Sequence, residues 1–435
     1  MNLKQHLSKT VTLAYPVMIG QLGHILVSVA DTAMVGRVGV IPLAGATFAG
    51  TIYHALLLFG IGVSYAITPL VAAAKKGDRA LVHGYLQNAL ILNGLLGLLL
   101  FGLGYGLTHF LDLFGQEEAV VEAAGPYLLI VLGSLIPLMI FQTFRQYAEG
   151  LSDTLNPMVV SIVSNLINVG LNYMLIFGHL GFEPMGLNGA GYATFISRVV
   201  MVLMIMMLTR SKWRGLSLGI DFVKIKRLFK LGIPSGMQYL FEVGAFATAA
   251  IMVGWIGAAE LAAHQIALNI AAVSYMAATG IASAATIRVG NQMGSRDKNA
   301  LRLAGNSAFG LAASFMGITG LVFIIFNSAL AGLYVEDQYV VSVAAQLLIV
   351  AAAFQVSDGL QSVGLGVLRG LTDVKVPTAI TFMAYWVFAI PAGYVLGFVF
   401  ELGVLGIWYA LASALTIAAI FHMLRFRSLV RRLGF

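Results

Sequence analysis

The sequence predicts an all-α integral membrane protein: twelve transmembrane helices in two six-helix lobes related by a pseudo-twofold axis along the membrane normal. Three observations predict this class. The 435 residues are 59% hydrophobic and 10% charged, with a mean hydropathy of +0.91, whereas a soluble domain carries about 25% charged residues. The basic residues fall almost entirely in alternate connections. The two halves repeat each other at a shift of about 218 to 220 residues.

A span needs about 20 apolar residues. Apolar runs at 13–35, 42–73, 86–112, 121–147, 157–178 and 187–209 supply six in the first half, and those at 229–256, 261–290, 301–334, 340–368, 377–400 and 403–425 supply six in the second. Runs longer than the bilayer tilt or extend into the aqueous layers. Lys4, His6 and Lys9 precede the first run, and no small-residue cleavage site follows it, so it reads as a retained helix. The expected division is an N-terminal lobe over 1–209, a basic linker over 210–228 and a C-terminal lobe over 229–435.

With the N-terminus placed in the cytoplasm, every one of the 25 basic residues except Arg37 and Arg198 falls on the inside, the linker alone holding Arg210, Lys212, Arg214, Lys224, Lys226 and Arg227. The outside connections carry acids instead, among them Glu117, Glu118, Glu260, Glu336 and Asp337. This is the positive-inside pattern, and it places both termini in the cytoplasm. The net charge of +7 and pI near 9.5 are thereby explained by topology and contact with anionic lipid, without nucleic acid as a partner. Cysteine is absent, which excludes disulfides and thiolate chemistry.

In the repeat, Leu13-Ala14-Tyr15-Pro16 returns as Leu231-Gly232-Ile233-Pro234, and Met34-Val35-Gly36 returns as Met252-Val253-Gly254. Gly150-Leu151-Ser152-Asp153 with Pro157 returns as Gly370-Leu371-Thr372-Asp373 with Pro377. Six spans per half is an even number, so the halves enter the membrane in the same orientation. Parallel repeats of this kind build transporters whose site lies near the bilayer midplane.

Three carboxylates fall inside expected spans: Asp31, Glu242 and Asp358. An ionisable group at that depth is a functional hypothesis by default, because a bare anion out of water is relieved by a proton, a Na⁺ or an organic cation. Gln21, His24, Ser28 and Asp31 form one stripe of the first helix, and Ser161, Asn165, Asn168 and Asn172 form one of the fifth. Ser235, Gln238 and Glu242 share a face with Tyr239 beside them, while Phe354, Asp358, Gln361 and Ser362 share another. Polar faces within apolar helices point to a cavity or a neighbouring helix, not to lipid. Aromatic rings beside acids suit lipophilic cations through cation–π attraction, which makes Tyr239, Tyr275 and Phe354 candidate lining. Gln21, Gln238 and Gln361 are candidate substrate contacts. His24, His54 and His264 lack metal-ligand spacing and read as helix contacts. Pro16, Pro137, Pro234 and Pro391 are candidate bend points. No GxxxxGK[ST] occurs, which argues against ATP drive within this chain. Nor does any clustered nucleophile, metal set or cofactor motif mark an enzyme.

These residues resemble the multidrug and toxic compound extrusion (MATE) family, in its NorM-type branch. The resemblance runs over essentially the whole chain and rests on Pro16 through Gln21, Ala30-Asp31-Thr32-Ala33-Met34-Val35-Gly36 and Glu149-Gly150-Leu151-Ser152-Asp153-Thr154. It rests also on Ala263-His264-Gln265-Ile266-Ala267-Leu268-Asn269 and on the stretch from Ser357-Asp358 to Leu368-Arg369-Gly370-Leu371-Thr372-Asp373. It implies two lobes around a V-shaped cavity in a bacterial inner membrane, and export of small cationic lipophilic compounds against entry of Na⁺ or H⁺. No cofactor beyond that ion is implied, and a monomer suffices. It also implies cation coupling at Asp31, Glu242 and Asp358, with Glu242 and Asp358 as the candidate Na⁺ pair and with Asn168 and Asn172 in the cluster facing Asp31. Another branch has an aspartate in that cluster. Here Asn172 stands in its place, so the N-terminal lobe is expected to hold one carboxylate. A lipid-linked oligosaccharide flippase of the same superfamily is the alternative; its anionic carrier calls for several deep cations, and the chain offers Arg198 alone within a span.

Overall fold

The computed structural model describes residues 3–74, 78–215 and 219–434. Lys75 and Lys76, counted above as inside charges, and linker residues 216–218 lie outside the described residues. Twelve helices among those described are long and apolar enough to cross a membrane. They are α1 (Lys4–Gly36), α2 (Val40–Ala72), α3 (Arg79–Thr108), α4 (Glu118–Gly150), α5 (Leu155–Phe177), α6 (Gly186–Leu208), α7 (Phe222–Ile256), α8 (Ala258–Ser295), α9 (Lys298–Gly332), α10 (Gln338–Gly370), α11 (Lys375–Val399) and α12 (Gly403–Arg432).

Each apolar run has its helix, but hydropathy misplaces several ends. Because α1 begins at Lys4 and α7 at Phe222, Lys9, Lys224, Lys226, Arg227 and Lys230 ride on helices, not in connections. Lys, Arg and Leu are good helix formers, so the backbone bonds continue past the apolar stretch. The expected linker shrinks accordingly, and its first four residues, Arg210–Trp213, form a single helical turn.

The prolines sort into two kinds. Helices α1 and α7 run without a break through Pro16 and Pro234. Helix α4 is interrupted at Ser134 and resumes at Leu135, which puts Pro137 in a first turn, where its missing N–H is no loss. Helix α11 contains two π-helical stretches, Met383–Ala389 and Val395–Val399, with Pro391 in the short α segment between them. Wide turns of this sort commonly accommodate a local disruption of the i→i−4 ladder.

The Gly-Leu-Ser/Thr-Asp repeat proves to be a helix stop. Ser152 and Thr372 adopt left-handed φ of 64° and 59°. Ser152 N donates to Glu149 O at 2.8 Å and Asp153 N to Ala148 O at 2.9 Å; Thr372 N and Asp373 N make the same bonds to Arg369 O and Leu368 O at the same distances. This is the 6→1 and 5→2 closure that ends a helix. Each aspartate then takes a cation from the end of its own half, Lys212 on Asp153 and Arg425 on Asp373 at 2.8 Å.

The chain packs as two compact units. One is Ile19–Gly236, here the N-unit; the other is Met1–Met18 with Met237–Phe435, the C-unit. The boundaries at 209 and 229 expected from the sequence differ from this packing over 1–18 and 210–236, because the leading segments of α1 and α7 each pack within the unit of the opposite half. Two repeat-equivalent glycines admit them. In the C-unit Gly280 is met by Met18 N and Ala14 O, 3.0 and 3.1 Å from where a Cβ would stand; in the N-unit Gly62 is met by Gly236 Cα at 2.7 Å and Ser235 O at 2.8 Å.

Two inside charges turn out to be buried structural groups. Arg145 pairs with Glu149 at 2.8 Å, both nearly fully covered. In the C-unit Arg288 Nη1 donates to His6 O and Thr10 Oγ1, each at 2.5 Å, and to Ser307 Oγ at 3.3 Å, while its Nη2 meets His6 Nδ1 at 2.5 Å. The cytoplasmic bias of these residues is real in the sequence, but their side chains serve packing. A buried charge is tolerated only where partners surround it.

Candidate functional site

Each unit contains one polar cluster built on an intramembrane carboxylate. In the N-unit Asp31, on the later half of α1, accepts a hydrogen bond from Asn172 Nδ2 on α5 at 2.5 Å. The same Nδ2 donates to Asn168 Oδ1 at 3.2 Å, and Asn168 Nδ2 reaches Ser197 Oγ on α6 at 3.5 Å. Asn168 and Asn172 stand on one face because their spacing is a helical turn. The Asn172 amide is spent on two acceptors, which leaves its Oδ1 without a partner. Asn165 Nδ2, Ser164 Oγ, Asn188 Oδ1 and Tyr53 OH are buried and unpartnered in the same unit.

Arg198 now has a place. Its Nη1 donates to Ser134 Oγ at 2.6 Å, and its guanidinium lies 5.2 Å over the Tyr53 ring. It acts on Asp31 at longer range as a fixed positive charge. Sequence spacing offered no hint of this, since Tyr53, Ser134 and Arg198 lie on α2, the α4 interruption and α6.

In the C-unit Glu242 on α7 accepts from Tyr275 OH on α8 at 3.4 Å. Asp358 on α10 is near enough to feel the charge of Glu242, and both carboxylates are 9% exposed. Gln361, one turn from Asp358, is fully buried beside Glu242, and neither polar atom of its side chain closes a hydrogen bond. Tyr385, on the first π-helical stretch of α11, lies within electrostatic reach of both acids and leaves its hydroxyl unpartnered. Tyr385 is a residue the sequence reading missed; the signal that could have found it is the disturbed helix around Pro391. Gln355 Nε2 donates to Ser274 Oγ at 2.7 Å behind this cluster.

The remaining expected residues are distributed as follows. Gln21 is half-buried on α1 in the N-unit, Gln238 is buried on α7, and Tyr239 is half-buried beside it. Phe354 is a core residue, 5% exposed, with its ring 5.9 Å from that of Trp408. His264 is a helix contact, accepting from Trp408 Nε1 at 2.9 Å. No group of three or more His, Cys, Asp or Glu among the described residues could hold a metal ion.

Chemically, both clusters offer carboxylate oxygens beside neutral oxygens and amides. Such a set can exchange a proton for a hard monovalent cation with little rearrangement, since protonation removes one charge and a cation supplies one. The N-unit cluster has one acid, the C-unit cluster two.

The sequence profile of the MatE family matches residues 16–174 and 234–395. A probable multidrug resistance protein NorM of Idiomarina loihiensis is 31% identical, over 99% of this chain and 96% of its own length. The multidrug resistance protein MdtK of Pectobacterium atrosepticum is 33% identical, over 98% and 96%. Among solved structures, a mutant of the Vibrio cholerae MATE transporter VcmN superposes with a TM-score of 0.91 at 18% identity, over 99% of this chain and 98% of that one. The eukaryotic MATE transporter AtDTX14 does so with 0.88 at 20% identity, over 99% and 98%.

Proposed function

The chain belongs to the MatE family, and from that premise we propose that it is a secondary active multidrug efflux transporter, exporting cationic amphiphilic compounds in exchange for Na⁺ or H⁺ by alternating access. The observation that carries this reading is the presence of one carboxylate cluster inside the membrane in each of two units of like construction. The names of its relatives, multidrug resistance proteins at about 30% identity over nearly the whole chain, support the substrate class. We place it as a monomer in a bacterial inner membrane with both termini cytoplasmic, supported by the distribution of Lys and Arg. It works as a transporter, not as an enzyme.

In this mechanism the coupling cation occupies Asp31, or Glu242 with Asp358, and stabilises a state of weak drug affinity. Drug binding in the opposite-facing state favours cation release, and the difference in affinity between states drives the cycle. Asn172 holds Asp31, and Asn168 offers a further oxygen beside it. Gln21, Gln238, Tyr239, Tyr275, Phe354 and Gln361 are proposed on the drug side, Phe354 through the packing of its neighbours. Each cation moved through 100 mV supplies about 2.3 kcal/mol, enough for a modest drug gradient. The flippase reading has less support, because Arg198, the cation deepest in the sequence pattern, is already bonded to Ser134 and laid on Tyr53.

The test is ethidium efflux from proteoliposomes, with a Na⁺ gradient and a pH gradient imposed separately, for the wild type and Asp358→Asn. Efflux driven by one gradient and lost in the variant is the expected result, and it names the ion. Folded protein that moves no ethidium under either gradient would overturn the proposal.

A further inference from the structure

The C-unit contains a basic cavity with no acid in it. The amino end of α9 and the carboxyl end of α12 enclose about 390 Å³, lined by Lys298, Arg302, Asn306, Phe426, Arg427 and Arg431 among others. That is room for a small ligand. Arg427 and Arg431, with Arg432, also border a second hollow immediately beside it.

The charges here are unbalanced. Three cations at other helix ends are paired, Lys212 with Asp153, Lys224 with Asp221 and Arg425 with Asp373. Around this cavity, the guanidinium groups of Arg302, Arg427 and Arg431 have no ion pair or hydrogen bond among the described residues. The nearest acid in sequence, Asp297, uses its Oδ1 to cap α9 at Ala300 N, 2.9 Å away. Lys298 is committed too, its Nζ donating to Arg431 O at 3.0 Å and Leu433 O at 2.7 Å, which pins the end of α12 beside α9. Three guanidiniums thereby border one space, at a helix amino end whose dipole also favours an anion.

At the repeat-equivalent place in the N-unit, the chain after α6 is bonded back to α3: His83 Nε2 meets Lys212 O at 2.9 Å and Gln87 Nε2 donates to Gly219 O, while the Trp213 ring lies tilted against that of Phe144 with centroids 5.9 Å apart.

Guanidinium is the side chain suited to phosphate, which it grips through two parallel N–H bonds. The source of the phosphate is indicated by what lies next to the cations. Ile420, Phe421 and Leu424 are 47%, 53% and 53% exposed on α12, one to two turns from Arg427 toward the middle of the span. Basic groups above an apolar, lipid-facing strip match a headgroup with its acyl chains below it. We propose that this cavity is a binding site for the phosphate headgroup of an anionic phospholipid, drawn from the leaflet on the side of the chain termini.

The experiment is native mass spectrometry of the full-length protein in neutral detergent, with phosphatidylglycerol, phosphatidylcholine or inorganic phosphate added. Three proteins are compared: the wild type; Arg302→Gln/Arg427→Gln/Arg431→Gln; and a control, Arg210→Gln/Arg214→Gln/Lys226→Gln, which removes the same charge from exposed positions elsewhere. The wild type and control should retain phosphatidylglycerol over phosphatidylcholine, and the cavity variant should lose that preference by on the order of tenfold or more. Equal loss in cavity and control variants would show charge attraction without a site and overturn the proposal. So would full retention by the cavity variant. Displacement of the lipid by millimolar inorganic phosphate, with no need for acyl chains, would overturn the lipid as the source. If the Gln variant does not fold, the triple Arg→Lys variant keeps the charge and loses the paired N–H geometry; a several-fold weaker retention then supports the site, and unchanged retention overturns it.

Discussion

The N-unit and the C-unit share a plan down to individual hydrogen bonds, as the two helix stops at Ser152 and Thr372 show, yet they furnish their interiors differently. The N-unit surrounds a single acid with amides, Asn172 bridging Asp31 and Asn168. The C-unit sets two acids within each other's field, with tyrosines and an unpartnered glutamine around them. A duplicated scaffold has thus kept the backbone devices and let the chemistry diverge. The difference implies that the C-unit acids act jointly and Asp31 acts separately.

Joint action can be broken by mutation. Glu242→Gln and Asp358→Asn should each reduce gradient-driven ethidium efflux by between about 5- and 150-fold, the range of ordinary coupling energies. The double variant should be little worse than either single one, whereas adding Asp31→Asn to Asp358→Asn should cost a further factor, because groups in one cluster are non-additive and separate ones add. Additive losses within the C-unit would end the idea that its two acids form one site.

Next in size are the buried arginines. Arg145→Ala removes the salt bridge from the covered Glu149 carboxylate, for which about 3–5 kcal/mol of stability should be lost; Arg288→Ala strips partners from neutral groups and should cost about 1–3 kcal/mol. Thermal unfolding in detergent gives both values, and a larger loss for Arg288→Ala would reverse the assigned order. Gly62→Val and Gly280→Val test the likeness of the units more gently, since each pushes one backbone off another. Both should destabilise by about 1–3 kcal/mol, and a wide disparity would show that the two contacts are not equivalent.

The smallest effect is a pH dependence. Partial burial opposes the charge on Asp153, but hydrogen bonds from Lys212 and Asn156 outweigh it and hold the carboxyl below its ordinary 3.8. A depressed acid contributes stability above its unfolded pKa and loses it as pH falls through the lower, folded value. Asp153→Asn should therefore lower stability by at most about 1 kcal/mol at pH 5 and above, and wild type and variant should converge below about pH 3. A difference that persists in acid would assign the loss to something other than this ion pair.

Much of the architecture is written in hydropathy and charge, because a bilayer imposes a length on each span and a sign on each connection. The polar stripes were legible from helical spacing, while the meeting of Asn172 with Asp31 and of Glu242 with Asp358 was what the family resemblance implied. What could not be read was pairing across the chain. Arg198 finds Tyr53, and Phe354 finds Trp408, only through the packing of distant helices. Nor could a hydropathy profile show that α1 and α7 extend beyond the apolar layer, since helix propensity is indifferent to where the lipid ends. Arg145 and Arg288 look like ordinary inside charges until burial is known.

The placement of the first eighteen residues has a consequence for synthesis. Their packing partner in the C-unit includes Arg288, which bonds to His6 across 282 positions. At about 5–20 residues per second, an interval on the order of half a minute separates the emergence of the two. The N-unit, by contrast, has all its parts once residue 236 has been made. During that interval the leading segment of α1 waits at the membrane with its eventual neighbours not yet translated, so residues made well before the N-unit is finished reach their final contacts only after it.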